Sequence, residues 1–158
     1  MSQLSNYTFD EITIGQSAHY SKTVTEQDIQ MFAAVSGDVN PLHLDADFAA
    51  GTRFGERIAH GMLTASFVSA ALAMKLPGPG CIFMEQTLKF RLPVKIGDEI
   101  CVTLEVTEKN ERRKSVSLNC KAHNSDQKLV LTGTSLVVAP TEKLSIPCPV
   151  SPAFQALN

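Results

Sequence analysis

A chain of 158 residues, 44% of them hydrophobic, can close one core and needs neither a disulfide nor a metal to do so. A formal net charge of −2 and a pI near 6.1 exclude a general attraction for nucleic acid, and the short basic run Arg112, Arg113, Lys114 lies among polar residues as in a solvated turn. Cys81, Cys101, Cys120 and Cys148 stand 20, 19 and 28 positions apart, match no zinc spacing, and are expected as reduced, mostly core thiols.

The first residues, MSQLSNYTFDEITIG, show neither a basic segment nor an apolar one, and no later run has the apolar length to cross a bilayer. A single cytoplasmic domain over 1–158 is therefore expected. HYSKTV (19–24) alternates as an opening strand. Thr25, followed three residues later by Asp28, sets up a capping box for a helix, EQDIQMFAAVS, with Ile29, Phe32 and Ala33 on one face and its end near Gly37. Asp45 is placed to cap a second short helix, ADFAA, ending at Gly51. From His60 to Leu76 the chain carries no charge before Lys75, the pattern of a helix buried on every side, about 17 residues and roughly 25 Å long.

LPGPG stops that helix, and from Cys81 to Val138 the pattern turns to period two. Ile100, Val102, Leu104 and Val106 fall in phase, as do Val116, Leu118, Cys120 and Ala122. Short breaks at VKIGD, KNERR and NSDQ predict an antiparallel meander. The apolar face of such a sheet needs a partner, and the uncharged helix is the candidate, so an α+β fold with a curved sheet around one helix is expected. Its long edge is a place for a second subunit. After Ala139, Pro140, Pro147, Pro149 and Pro152 mark a tail running over the surface.

The stretch between the first two helices, SGDVNPLHLD (36–45), holds the first candidates for chemistry. Asp38 and His43 are five residues apart, about 140° apart on a helix and on opposite faces of a strand, so they converge only if the segment bends. Pro41 drives Asn40 out of the α region and so favours a bend. Two readings stay open: Asp38 fixes a turn while His43 is a satisfied, half-buried histidine, or the two hold and deprotonate a water. The second stretch is RIAHGML, where Gly61 opens the buried helix. Its backbone N–H lacks an internal partner and sits at the positive end of the helix dipole, which suits a developing oxyanion; taken alone, Gly61 is also explained by relief of crowding. No serine elbow or phosphate loop is present; His43 with Asp45 or His60 could in principle bind a metal, but no i,i+4 pair on a helix supports it, so no metal or nucleotide cofactor is expected.

The run Asp38-Val39-Asn40-Pro41-Leu42-His43, followed by ERIAHGML and LPGPG, resembles the MaoC-like (R)-specific enoyl-CoA hydratases associated with polyhydroxyalkanoate synthesis. The likeness covers roughly residues 10–140. It implies a hot-dog fold, a homodimer, and reversible hydration of trans-2-enoyl-CoA to (R)-3-hydroxyacyl-CoA, drawn from fatty-acid β-oxidation, with no cofactor. By position it makes Asp38 the base and His43 the group that orients water and shuttles its proton. Asn40 matches the asparagine of the motif, Gly61 the glycine that meets the thioester oxygen, and Ser69 a serine of the central helix near the acid. Leu63, Leu72 and Met84 are candidates to close an acyl pocket, and Arg53, Arg57, Lys89 and Arg91 to meet the CoA phosphates. The alternatives are a hot-dog thioesterase, which needs a carboxylate on or near the central helix where 61–74 has none, and a non-catalytic acyl-thioester binding module.

Overall fold

Period-two alternation in the second half of the chain becomes sheet, and the charge-free stretch before it becomes the helix that the sheet wraps. The computed structural model describes residues 2–154. In chain order the elements are β1 (Gln3–Ser5), β2 (Ser17–Thr23), α1 (Glu26–Ser36), α2 (Pro41–Leu44), α3 (Ala46–Ala50), α4 (Gly61–Met74), β3 (Ile82–Phe90), β4 (Glu99–Asn110), β5 (Ser115–His123), β6 (Leu129–Val138) and β7 (Ser145–Pro147). The main sheet is antiparallel with the order β2-β4-β5-β6-β3.

The core is where the two patterns meet. Val102, Leu104 and Val106 of β4 are buried opposite Ala122, Cys120 and Leu118 of β5, and Ile100 and Val116 are buried beside them. Leu63, Phe67, Val68, Ala71 and Leu72 of α4 join them in one cluster. Fully burying side chains of this size stabilises by about 1.5–3 kcal/mol each.

Three expectations need correction. The strands from 81 to 138 are not one meander: β4, β5 and β6 are, but β3 pairs with β6 at the far edge, so VKIGD carries the chain across the sheet to β4 beside β2. Alternation identifies a strand but not its neighbour. Helix α4 is not covered all round in the single chain, since Met62, Ser66 and Ala73 are exposed and Ser69 and Ala70 half-buried along one stripe. Of the cysteines only Cys120 is buried; Cys81 and Cys101 are half-buried and Cys148 is exposed, all as free thiols. Burial pushes the Cys120 and Cys81 thiols up from their ordinary range. The described tail after Pro140 is exposed over nearly all its length and is anchored. Its β7 pairs with β1, and the buried Asn6 donates to Glu142 O at 2.9 Å while accepting from Leu144 N–H at 2.9 Å.

The capping box at α1 forms as the spacing predicts. Thr25 Oγ1 accepts from Asp28 N–H at 3.1 Å, and Asp28 Oδ2 accepts from Thr25 N–H at 2.9 Å. Lys22 lies 2.9 Å from the same carboxylate. Burial alone would raise the Asp28 carboxyl, but the Thr25 N–H, the Lys22 ammonium and the Thr25 hydroxyl outweigh it, and its pKa is lowered overall. A carboxyl with a depressed native pKa stabilises the fold at neutral pH and loses that contribution as pH falls through the native value. Thr25→Ala should cost about 1 kcal/mol of stability in urea titration at pH 7. The difference between the wild-type protein and Asp28→Asn should shrink as pH drops below the carboxylate range.

Candidate active site

The segment from Gly37 to Asp45 is built by side chains that cap the backbone just ahead of them. Helix α1 ends at Gly37 in the left-handed region, φ 77°, with its N–H on Ala33 O at 2.9 Å. Asp38 N–H then donates to Ser36 Oγ at 3.2 Å, and Asp38 Oδ1 accepts from Asn40 N–H at 3.2 Å. Asn40 takes φ −51° and ψ 126°, the extended conformation that Pro41 enforces, and its Oδ1 accepts from Leu42 N–H at 3.0 Å. That bond starts α2, a single turn with Pro41 at its first position, which the sequence pattern did not reveal. Asp45 Oδ1 in turn accepts from Phe48 N–H at 3.0 Å and starts α3.

This bend does what no regular element could do. One potential ligand atom each from Asp38, His43 and His60 lies within 4.8 Å of the others. Asp38 is exposed, whereas His43 is 8% and His60 2% exposed. His43 Nδ1 stands 2.8 Å from Ile58 O. Because a carbonyl can only accept, Nδ1 carries the hydrogen, and in the neutral ring Nε2 is left as a free acceptor. His60 Nε2 donates to the backbone carbonyl of Asp38 at 3.0 Å.

Both open readings of Asp38 thus have a structural counterpart. One carboxylate oxygen holds the turn through Asn40 N–H, and the group as a whole still faces His43. The His43 and His60 rings lie against each other, with centroids 3.8 Å apart at 33°.

Gly61 opens α4 immediately after His60 and lies on the wall of a cavity of about 240 Å³. Ile58, Thr64, Phe90, Val94 and Val130 supply other parts of that wall, with Arg53 and Arg91 also on the lining. Asp38 and His43 adjoin this cavity without lining it, through Ile58 on one side and the His60–Gly61 step on the other. A Cβ on Gly61 would sit 3.0 Å from Phe90 Cε1, so the bare Cα is what lets the ring close over the helix terminus.

The remaining candidates divide. Ser69 is half-buried, eight residues and about two turns along α4 from Gly61, and no hydrogen bond of its hydroxyl appears among the described residues. Asn40 serves first as the cap of α2. Arg57 is paired with Glu26 at 2.9 Å, and Lys89 lines a neighbouring groove with Arg91, Thr87 and Thr132. Leu63 and Leu72 are buried, and Met84 is exposed on β3. His60, 17 positions from His43 in sequence and directly before Gly61, is brought against His43, a pair that the sequence offered only as metal ligands in principle.

Comparison with known proteins agrees with this geometry. The MaoC-like domain matches residues 10–127. The chain is 45% identical over 132 residues to an (R)-specific enoyl-CoA hydratase of Rhodospirillum rubrum, covering 84% of this chain and 91% of that protein. It is 42% identical to an (R)-specific enoyl-CoA hydratase of Aeromonas caviae, covering 82% and 96%. The solved structure of the unliganded R-hydratase PhaJ1 from Pseudomonas aeruginosa superposes with a TM-score of 0.93 at 47% identity, covering 98% of this chain and 99% of that one. The helix wrapped by an antiparallel sheet is the hot-dog fold, and the chain belongs to the MaoC-like family.

Proposed function

We propose that this protein is an (R)-specific enoyl-CoA hydratase, adding water reversibly across the double bond of a trans-2-enoyl-CoA to give the (R)-3-hydroxyacyl-CoA. The observation that carries the reading is the convergence of Asp38 with His43 beside the free N-terminus of α4. Its relatives named (R)-specific enoyl-CoA hydratase support the same activity.

The chemistry follows from the bonds already described. The thioester carbonyl draws electrons from C3, and as C3 is attacked the charge collects on the carbonyl oxygen. Gly61 N–H, unpaired within the helix and at the positive end of its dipole, meets that oxygen. Asp38 accepts one O–H of the water and acts as base. The released proton passes through His43 Nε2, the nitrogen that Ile58 O leaves free, to C2. One O–H bond of water and the C2–C3 π bond break, C3–O and C2–H bonds form, and both side chains finish as they began. Asn40 sets the angle between the two through α2. No metal or other cofactor enters these steps.

We further read the working unit as a homodimer. The edge strand β3 exposes Ile82, Met84 and Phe90, at 59%, 57% and 51%. Apolar groups in such a row beside an unpaired edge are what a second copy would bury. Arg53 and Arg91 at the cavity suit the CoA phosphates. We place the reaction in the cytoplasm, with enoyl-CoA from β-oxidation as its supply. Among the described residues no helix is long and apolar enough to cross a membrane.

Incubation with crotonyl-CoA should bleach the conjugated enoyl-thioester absorbance and yield 3-hydroxybutyryl-CoA of (R) configuration by chiral analysis; the (S) product or release of free thiol would refute the reading. Asp38→Asn and His43→Gln should each lower kcat by about 10²- to 10⁴-fold with circular dichroism unchanged. Gly61→Ala should lower kcat/KM by up to about 10²-fold, because its methyl displaces Phe90 at the cavity wall and misplaces the thioester.

A further inference from the structure

His60 is buried more deeply than either proposed catalytic side chain, yet it does not cap the helix it opens: α4 has no side-chain cap at His60. Its contacts run instead to the parts of the site. Nε2–H holds the backbone carbonyl of Asp38 at 3.0 Å. One neighbour of the ring is His43, with centroids 3.8 Å apart at 33°; another is Phe32 of α1, at 4.9 Å and 50°. The next residue is Gly61. A single rigid group therefore touches the acid's backbone and the shuttle's ring, and is bonded to the proposed oxyanion donor.

The cost of placing it there points the same way. His60 Nδ1 is buried with no hydrogen-bond partner among the described residues, and leaving a buried acceptor unsatisfied costs stability. Phenylalanine would fill the same slot between two rings without leaving a nitrogen unpaired. What it would lack is the donor to Asp38 O. We infer that His60 is a positioning residue of the hydratase site, whose Nε2–H fixes Asp38 relative to His43 and Gly61.

This inference rests on the hydratase reading, and the test separates the two. In His60→Phe the rings remain stacked and the bond to Asp38 O is lost; in His60→Gln a donor remains near the Nε2 position and the stack is lost. His60→Phe should keep the fold and KM for crotonyl-CoA while kcat falls by about 10²-fold, the scale of a misplacement of about 1 Å at the reacting atoms. His60→Gln should recover most of that loss, although its packing is the poorer of the two. Turnover of His60→Phe within twofold of the wild-type protein would overturn the proposal and leave the hydratase reading standing, as would a loss of equal size in both variants. Wild-type protein inert toward crotonyl-CoA, longer enoyl-CoAs and acyl-carrier-protein thioesters would overturn both.

Discussion

Everything in this molecule hangs on the burial of α4 against the concave face of the sheet. Leu63, Phe67, Val68, Ala71 and Leu72 are all nearly inaccessible and share a cluster with the inward residues of β4, β5 and β6. A helix held over that length cannot slide or rotate without opening cavities, so its first residue is fixed in space. Its N-terminus then presents Gly61 at one end of the sheet, where the helix dipole and an unpaired N–H act on the cavity.

The segment before α4 converts that fixed terminus into a site. Three short polar side chains, Asp38, Asn40 and Asp45, each accept from a backbone N–H two or three residues ahead, so the chain is bent by its own side chains. The same bonds that shape the bend aim Asp38 at His43. The turn-fixing reading of Asp38 therefore does not exclude the proposed catalytic one. His60 closes the arrangement from the helix side, joining the bend to α4 by a hydrogen bond and a stack.

Local rules were legible and long-range ones were not. The Thr25–Asp28 box, the halt at Gly37, the Asp45 cap and the in-phase burial of β4 and β5 all follow from spacings of two to four residues, and all appear in the structure. The position of β3 beside β6 does not follow, because a strand's alternation is the same whichever neighbour it has. The β1–β7 ribbon has three residues in each strand, too few for a period to show. Convergence of Asp38 and His43 could be argued from Pro41 and the failure of regular geometry. The stack of His43 on His60 could not, since it depends on how α2 docks on the start of α4. Cys101 and Cys81 were expected inside because cysteine usually is, but each stands at a position only half covered in the single chain.

The central claim is that Asp38 and His43 act on one and the same water. It is tested most directly by a double-mutant cycle on the initial rate of crotonyl-CoA hydration, comparing Asp38→Asn, His43→Gln and the variant carrying both. Residues that work as a unit are strongly non-additive, so the double variant should be no slower than the worse of the two single ones. Losses that multiply, giving a double variant slower by the product of the two, would contradict the account and place the two side chains in separate roles.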